Sequence, residues 1–337
     1  MSKPSKVLII GGGGYVGVEL QRMLAESNYK IRVLDTFWYP EGKWDVSDGD
    51  FVTNIEYIVG DVRDKEVVRK SLIGVDACIH LACISNDPSY ELNPNLAKSI
   101  NFDAFMMLLA ELNNSSVKNF IYASSSSVYG VKQEENVTED LICEPLTDYS
   151  KYKVMCEDAA LNSISDKVCL TIVRPSTICG YSKRQRFDLV VNILTLSALT
   201  NSVINVDGGD QFRPNLHIQD MVAAYKLLLE TDFKTINKKI YNIAGENLTV
   251  LEIAKKVQFQ IKNGCDIKIT PVLDQRSYRV SGKRIRSEIG FVPKFSIDDA
   301  IIDLKQAFYA GKYLNLTSES YYNIRQMKLL MSQGIIK

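Results

Sequence analysis

The feature that most constrains the fold of this chain is a glycine-rich turn that follows a short apolar run near the start of the sequence. The run KVLII occupies residues 6–10, and Gly11, Gly14 and Gly17 follow it where a helical pattern begins. Small residues at a strand-to-helix junction permit a tight turn, close approach of the backbone to a diphosphate, and packing of the helix against the strand. The turn therefore predicts a β-α-β unit that binds a dinucleotide at the end of its first strand.

An acidic residue at the end of the second predicted strand indicates which dinucleotide this is. The strand IRVLD spans residues 31–35, so Asp35 follows the glycines at close to the spacing of about 20 residues that places a carboxylate on the adenosine ribose. A carboxylate there would repel a 2′-phosphate, which favours NAD over NADP, although residues 36–39 leave some ambiguity. The helix that begins with Tyr15 and Val16 supplies free N–H groups and a partial positive charge for the diphosphate.

Apolar runs alternate with helical patterns through the first half of the chain. The runs that read as buried strands lie at 6–10, 31–35, 55–60, 75–82, 118–126 and 168–175, and a further run at 239–245 is expected to rejoin them. Strands that alternate with helices predict parallel β-α-β units and hence an α/β fold. We therefore expect a Rossmann-type, doubly wound parallel sheet with a smaller mixed α/β lobe toward the C-terminus that binds the substrate.

The pattern becomes irregular after Pro175 and predicts that second lobe. Helices are expected near 186–200, 218–230, 250–262 and 297–309, with a glycine-bearing turn at 206–214, an extended piece at 265–273 and an arginine-rich stretch at 276–286. We place the dinucleotide-binding domain at residues 1–180 plus about 216–245, and the second lobe at 181–215 plus 246–337. Because no linker separates them, the two lobes should interleave.

Charge, cysteines and histidines exclude several classes of function. The 40 Lys and Arg residues balance the 40 Asp and Glu residues, so no overall field favours nucleic acid or an acidic membrane surface. The seven cysteines contain no C-x-x-C pair, and His80 and His217 stand alone, so we expect packing histidines and no metal. No apolar stretch reaches the length of about 20 residues of a membrane span or forms a signal-peptide core, which predicts a cytoplasmic protein.

A tyrosine and a lysine four residues apart form the candidate catalytic pair. Residues 149–153 read YSKYK on a predicted helix, so Tyr149 and Lys153 emerge on one face. A phenol with a pKa of about 10 is a poor base at neutral pH unless cations lower that pKa, and Lys153 and the nicotinamide ring of NAD are two such cations. The pair alone is common in helices, but the serine run SSSSVYG at 124–130 ends a predicted strand shortly before it.

Taken in order along the chain, these motifs resemble those of the extended short-chain dehydrogenase/reductase superfamily, and within it the nucleotide-sugar epimerase/dehydratase family. The resemblance covers about residues 6–308. The matching segments are GGGGYVG (11–17), Asp35, GDVRD (60–64), HLAC (80–83), Asn101, YASSSSVYG (122–130), YSKYK (149–153), RPSTICG (174–180), RPNLHIQD (213–220) and YNIAG (241–245). Several such segments in one order are far more specific than any one of them.

The resemblance implies NAD-binding residues beyond the glycine turn. The implied positions are Asp61 and Val62 at the adenine, Leu81, Ala82 and Cys83 near the ribose and nicotinamide, Lys153 at the nicotinamide ribose, and Asn101 and Pro175. NAD is therefore the implied cofactor.

The resemblance also implies the chemistry. The family's catalytic serine lies four residues before the tyrosine of V-Y-G, which selects Ser125. Tyr149 would take a proton from a sugar hydroxyl, with Ser125 hydrogen-bonded to the same oxygen, while hydride passes to NAD. The 4,6-dehydratases carry an aspartate and a glutamate at the next two positions, and the 3,5-epimerases carry a cysteine two residues after the serine, whereas this chain has Ser126 and Ser127. Elimination of water and carbon-acid epimerisation are therefore disfavoured. What remains is hydride transfer at one carbinol carbon, which the resemblance implies to be carbon 4.

Substrate-binding positions are implied as well. Arg213 matches the arginine of the family's R-x-x-x-H segment, which binds the substrate diphosphate through a bidentate fork. Arg276 or Arg279 would reach the second phosphate, although some 4-epimerases have an aspartate about where Arg279 falls, which leaves the nucleotide base open. The other positions expected at the sugar or its phosphates are Ser85, Asn86, Ser126, Ser127 and Asn192.

Two net reactions fit these motifs. The 4-keto sugar is either reduced again from its other face, which gives the 4-epimer, or released as a ketone. We favour a 4-epimerase that resembles UDP-glucose 4-epimerase, and the alternative is a 4-dehydrogenase of a nucleotide sugar such as GDP-heptose. A third reading is a protein that binds NAD without turnover, but such relatives usually lose the tyrosine or the lysine. The resemblance implies a homodimer in which the helices containing residues 101–104 and YSKYK pair across a two-fold axis.

Overall fold

A sheet of parallel strands forms the centre of the protein, as predicted. The computed structural model describes residues 4–336 except 86, 202, 262–263, 273–276 and 314. Its strands are β1 (Lys6–Ile10), β2 (Lys30–Asp35), β3 (Ile55–Val59), β4 (Ala77–His80), β5 (Asn119–Ala123), β6 (Cys169–Pro175), β7 (Thr177–Cys179), β8 (Val203–Asp207), β9 (Phe212–His217), β10 (Lys239–Ile243), β11 (Asn247–Thr249) and β12 (Asp266–Thr270). Seven of them pair in parallel in the order β10-β6-β5-β4-β1-β2-β3. This confirms the Rossmann-type arrangement.

Helices connect the strands and cover both faces of the sheet. The α-helices are α1 (Tyr15–Glu26), α2 (Lys65–Leu72), α3 (Asp87–Leu92), α4 (Pro94–Lys98), α5 (Ala104–Asn113), α6 (Asp148–Ser163), α7 (Val190–Asn201), α8 (Ile218–Glu230), α9 (Phe233–Ile236), α10 (Val250–Ile261), α11 (Lys283–Ile289), α12 (Ile297–Tyr309) and α13 (Asn323–Ser332). Among the helices described, none combines the length and the apolar character that crossing a bilayer requires.

Alternate residues of each central strand pack on opposite faces of the sheet, because successive side chains of a strand point in opposite directions. Leu8 and Ile10 belong to a hydrophobic cluster with residues of α5 and α6, whereas Val7 and Ile9 belong to a second cluster with residues of α1 and α8. Both faces are therefore buried. This explains why the strands read in the sequence as continuous apolar runs instead of alternating patterns.

The strand order reverses between β1 and β4, and a crevice opens there at the carboxyl ends of the strands. The glycine turn lies at this point. Gly11 has a φ of +82°, and a Cβ on it would lie 2.3 Å from the backbone nitrogen of Ala82, which follows β4. Only glycine can therefore occupy this position without displacing the end of the neighbouring strand.

The smaller lobe contains the sheet β11-β9-β7 and the strand pair β12-β8. Its core joins α7, β8, α10 and α12 through Val191, Ile204, Val257 and Ile301. The helices predicted at 218–230, 250–262 and 297–309 agree closely with α8, α10 and α12. The turn predicted at 206–214 ends earlier, because residues from Phe212 onward pair with β7 and β11.

The last described helix packs against the other lobe. Met327 and Leu330 of α13 join the hydrophobic cluster on the α5 and α6 side of the central sheet. The boundaries expected from the sequence placed residues 246–337 in the second lobe. The structure instead puts α13 beside the crevice, where it contributes to the wall of the cavity described next.

Candidate active site

A cavity of about 470 Å³ opens at the crevice, a volume typical of small-molecule sites. Most of the residues predicted from the sequence line it. They are Gly11, Gly14, Tyr15, Val16, Gly17, Asp35, Asp61, Val62, Leu81, Ala82, Cys83, Ser85, Ser125, Ser126, Ser127, Tyr149, Lys153, Pro175 and Arg213. The fold thus brings together candidates from six strand ends and from the smaller lobe.

The start of α1 forms one end of the cavity. Gly14 precedes the helix and offers no side-chain cap, so the first N–H groups of α1 have no side-chain acceptor from that position. Gly17 packs so tightly that a Cβ on it would lie 2.4 Å from the Gly12 carbonyl oxygen. An uncapped helix start behind a tight glycine turn is a favourable place for an anion. These residues fit the diphosphate of a dinucleotide.

The Asp35 carboxylate stabilises the glycine turn. Its Oδ2 accepts a hydrogen bond of 2.9 Å from Gly13 N, and its Oδ1 accepts one of 2.7 Å from Phe37 N. Burial raises the pKa of Asp35, and the two backbone hydrogen bonds oppose that increase. Asp35 thus positions the turn in addition to the contact with the adenosine ribose that the sequence predicts for it.

The candidate catalytic pair is held by the first turns of α6. Thr147 caps this helix reciprocally with Ser150, so the position of Tyr149 is fixed at its N-terminus. The Lys153 ammonium donates a hydrogen bond of 2.6 Å to the carbonyl of Ala123 at the end of β5. It lies 5.8 Å from the centroid of the Tyr149 ring. The predicted arrangement on one helical face is therefore present.

The pKa of the Tyr149 phenol differs from the sequence expectation. Burial raises this pKa above its ordinary value, the neighbouring Cys83 adds to the increase, and hydrogen bonding with Ser125 lowers it. We expected Lys153 to lower the pKa. Within the chain itself, the loss of hydration affects the pKa of Tyr149 more than the Lys153 ammonium does. The reason is that Lys153 donates to a backbone carbonyl and not to the phenol oxygen.

Successive serines after β5 have different partners. Ser125 Oγ accepts hydrogen bonds from Ser127 N at 3.1 Å and from Ser127 Oγ at 2.9 Å. A hydroxyl has two acceptor positions and one proton, so Ser125 retains its own proton for donation into the cavity. Ser126 Oγ lies 3.4 Å from the hydroxyl of Tyr278. Ser124 is buried and donates to Glu157.

Two predicted asparagine ligands do not line the cavity. Asn101 exchanges two hydrogen bonds with the backbone of Ile84, at 2.8 and 3.0 Å. Asn192 is fully buried, and its amide bonds the Tyr15 hydroxyl at 3.1 Å and the Arg186 carbonyl at 2.8 Å. Since their amides are used in this way, both residues position neighbouring segments of the wall, and their contacts with the cofactor and the substrate stay predictions.

The arginines predicted as substrate ligands differ in their position relative to the cavity. Arg213 lines the cavity. Arg279 is not among the lining residues, and its guanidinium stacks over the Phe212 ring at 4.7 Å from the centroid. Its contact with a substrate phosphate stays a prediction. Asn86 and Arg276, the remaining predicted substrate ligands, lie outside the described residues.

Both histidines pack within the fold, where one caps a helix and the other lies among aromatic rings. His217 caps α8, with Nδ1 accepting a hydrogen bond of 3.2 Å from Gln219 N. His80 is buried beside Phe105 and Tyr122. Burial lowers the pKa of His80 to about 3, and the charge of Lys153 adds to this. Within the ranges that the structure describes, no three His, Cys, Asp or Glu side chains are grouped to hold a metal ion.

The cavity also contains residues that the sequence analysis missed. They include Trp38, Tyr39, Arg184, Arg186, Tyr278, Asn323 and Met327. Arg186 is paired with Asp188 at 2.8 Å and donates to the Ser85 hydroxyl at 3.3 Å. The available signal was the pair of arginines in YSKRQR, which directly follows the matched segment at 174–180.

Comparison with known proteins gives a consistent set of relatives. The model of the NAD dependent epimerase/dehydratase family matches residues 7–244. The UDP-glucose 4-epimerase of Lactobacillus helveticus is 27% identical over 323 residues, which cover 88% of this chain and 94% of that protein. The alignment thus includes both lobes.

Solved structures share the whole fold. The dTDP-glucose 4,6-dehydratase DesIV of Streptomyces venezuelae, solved with NAD, superposes with a TM-score of 0.80 at 20% identity and covers 91% of this chain and 98% of its own. The UDP-glucuronic acid 4-epimerase of Bacillus cereus, solved with UDP-glucuronic acid and NAD, superposes with a TM-score of 0.78 at 24% identity and covers 89% of this chain and 99% of its own.

Proposed function

Because this chain belongs to the NAD-dependent epimerase/dehydratase family, we propose that it is a nucleotide-sugar 4-epimerase, which oxidises carbon 4 of its substrate and reduces it again in the same cavity. NAD is the cofactor, and it supplies the hydride acceptor and a positive charge when bound. The observation that carries the proposal is the meeting of Tyr149, Ser125 and Lys153 on one cavity wall, with hydroxyl side chains and no carboxylate directly after Ser125.

In the proposed reaction Tyr149 accepts the proton of the carbon-4 hydroxyl. Ser125 donates its proton to the same oxygen and so orients the hydroxyl toward the phenol. Lys153, fixed by the Ala123 carbonyl, keeps a positive charge on the helical face of Tyr149 and favours the phenolate during proton transfer. The return step uses the same groups in reverse, so no further acid or base is required.

The serine positions support epimerisation over dehydration. In the dehydratases that this chain resembles, the two positions after the catalytic serine carry an acid pair. Here Ser126 lies against Tyr278, and Ser127 bonds to Ser125. Hydroxyls are poor proton acceptors near neutral pH, so this part of the wall favours chemistry at one carbinol carbon.

We further propose that Arg213 binds the substrate diphosphate and that Ser85, bonded to Arg186, faces the sugar. The division into a dinucleotide-binding domain at 1–180 plus about 216–245 and a second lobe at 181–215 plus 246–337 remains a proposal, with α13 moved to the first. A homodimer through α5 and α6 is supported by Met106 and Met155, large apolar side chains that these helices expose.

The test is incubation of the purified protein with UDP-glucose, UDP-GlcNAc, GDP-mannose and GDP-heptose. Products are identified by NMR, and NADH is followed by absorbance. We expect a 4-epimer from at least one sugar without accumulation of NADH. A 4-keto sugar with stoichiometric NADH would instead identify a 4-dehydrogenase, and the absence of every product would identify a protein that binds NAD without turnover. Tyr149→Phe serves as the inactive control.

A further inference from the structure

A short segment of the smaller lobe crosses the start of α1. The Tyr15 hydroxyl donates to the Gly180 carbonyl over 2.6 Å, and the Ser182 hydroxyl donates to the Tyr15 carbonyl over 2.8 Å. Lys183 N adds a hydrogen bond of 3.0 Å to Glu19 Oε1. These bonds tie the segment to the first turns of α1. The next residue, Arg184, is therefore held at the cavity, which it lines.

The Arg184 guanidinium is buried and makes no direct ion pair with the described residues. The residue is only 2% exposed, and its guanidinium carbon lies 3.5 Å from the centroid of the Tyr39 ring. Its Nη2 donates to Asn323 Oδ1 over 2.7 Å, whereas its Nε has no hydrogen-bond partner. Burial lowers the pKa of Arg184, and the charges of Asp188 and Glu41 oppose this from a distance. In the described part of the chain, no carboxylate is in direct ion-pair contact with the guanidinium.

Two other buried arginines, in contrast to Arg184, pair directly with carboxylates. Arg174 pairs with Glu157 at 2.5 Å, and Arg186 pairs with Asp188 at 2.8 Å. A buried charge without a partner is strongly unfavourable, and a guanidinium does not lose its proton to avoid the cost. An anion bound in the cavity would compensate the charge of Arg184.

We propose that Arg184 is an additional ligand for the diphosphate of bound NAD. The planar guanidinium offers paired donors that match phosphate oxygens. The proposal rests on NAD as the cofactor and is independent of which sugar reacts. The dinucleotide is favoured over the sugar nucleotide because the segment of Arg184 is bonded to Tyr15 of the glycine turn, and because Tyr39, beneath the guanidinium, closely follows Asp35.

The helix α13 fixes Arg184 in this position. Asn323 Oδ1 accepts hydrogen bonds from Arg184 and, at 3.2 Å, from the Tyr39 hydroxyl. Gln326 Nε2 donates to the Trp38 carbonyl over 2.6 Å. Three distant parts of the chain thus meet around one guanidinium. We expect this enclosure to keep NAD bound through purification.

The test compares full-length Arg184→Met and Arg184→Gln with wild type and with the matched control Lys183→Met. Lys183 is adjacent but pairs with Asp48 and does not line the cavity. Binding of ADP, adenosine, UDP and GDP to nucleotide-free protein is measured by calorimetry. We expect the Kd for ADP to rise at least about tenfold in both Arg184 variants. The Kd values for adenosine, UDP and GDP should be unchanged, and the NAD content after purification should fall.

Thermal stability distinguishes the proposal from a purely structural role of Arg184, because the two predict opposite changes in Tm. Because Arg184→Met removes a buried charge that no directly contacting carboxylate offsets, the Tm of the nucleotide-free variant should equal or exceed that of wild type. The increase in Tm that ADP produces should shrink. A lower Tm with an unchanged Kd for ADP would overturn the proposal in favour of a structural role.

Weaker binding of UDP or GDP with unchanged ADP binding would also overturn the proposal, since it would assign Arg184 to the sugar nucleotide. If Arg184→Met does not fold, Arg184→Gln tests the proposal through the same comparison of the Kd for ADP with the Kd for adenosine. No sugar is turned over in these measurements, so a failure of the proposed reaction would leave their result unaffected.

Discussion

The Ser127 hydroxyl donates a hydrogen bond of 2.9 Å to the Ser125 hydroxyl, two residues before it in the same short turn. The Ser127 backbone N–H donates to the same oxygen. Because both acceptor positions of Ser125 Oγ are then occupied, this hydroxyl can only donate its proton to another group. Ser127 therefore determines the direction of the hydrogen bond that Ser125 makes, although the sequence identified it only as a sugar contact.

Ser127→Ala should lower kcat by about two- to tenfold, the effect expected from the loss of one neutral hydrogen bond. The KM should change little, and Ser127→Thr, which keeps the hydroxyl, should retain most of the rate. Steady-state kinetics provide the measurement, on the nucleotide sugar that the incubation test shows to react. A raised KM with an unchanged kcat would instead show that Ser127 binds the sugar directly.

Tyr149→Phe should reduce turnover by about 10²–10⁴-fold, because the phenol is the proton acceptor in the proposed reaction. The fold and the bound NAD should be retained, which circular dichroism and the nucleotide content would verify. A near-normal rate in this variant would contradict the role of Tyr149.

The rate should depend on pH through the same phenol. Burial raises the pKa of Tyr149 and the Ser125 hydroxyl lowers it, and only the deprotonated phenol accepts a proton. The value of kcat/KM should therefore increase with pH above neutrality, and Ser125→Ala should move the midpoint of that increase to higher pH. Ser126→Ala is the matched control and should leave the midpoint in place. An equal shift in both variants would argue against the Ser125 contact.

His80 should make the protein less stable in mild acid. Burial lowers its pKa to about 3, whereas the unfolded chain has the ordinary value of about 6.5. The neutral ring therefore contributes stability that is present above pH 6.5 and is lost as the pH falls toward 3. Between pH 7 and pH 5 this group should reduce the free energy of unfolding by about 2 kcal/mol. Urea titrations should show that His80→Asn loses less stability over this interval than wild type does, and an equal loss would contradict the assignment.

Glu157→Gln should lower the free energy of unfolding by about 3 kcal/mol, because it leaves the buried Arg174 without its carboxylate. Both side chains of this pair are almost fully buried, and the network extends to Ser124 and, through Arg174, to Tyr129. Asp158→Asn on the exposed side of the same helix is the control and should have little effect. Urea unfolding at pH 7 compares the two variants. Equal stability of both would show that the ion pair contributes little.

The central sheet, and the glycine turn where its strand order reverses, could be predicted because each follows from a local pattern. Continuous apolar runs mark strands that are buried on both faces, and the spacing of Gly11, Gly14 and Gly17 follows from a close approach of the backbone. The candidate tyrosine and lysine, Tyr149 and Lys153, were predicted from a spacing of one helical turn. Such patterns are short in sequence and need no knowledge of distant contacts.

The positions at which the structure differs from the sequence-based expectation depend on contacts between distant segments. Asn101 and Asn192 carry the right amide groups, but backbone partners from other elements use those groups. Arg279 is drawn to the ring of Phe212 on β9. The raised pKa of Tyr149 comes from burial, which depends on the packing of the whole cavity. Arg184 lies in no recognised motif, and its importance is visible only from the absence of an ion-pairing carboxylate among the described residues.

The wall formed by Asn323 and Met327 comes after every strand of the central sheet in the order of synthesis. A ribosome-bound chain can therefore complete the sheet, expose the glycine turn and capture its dinucleotide while that side of the pocket is still open. The arrival of α13 then closes the assembly around the nucleotide. We expect nascent chains stalled before residue 323 to exchange NAD more freely than the full-length protein does.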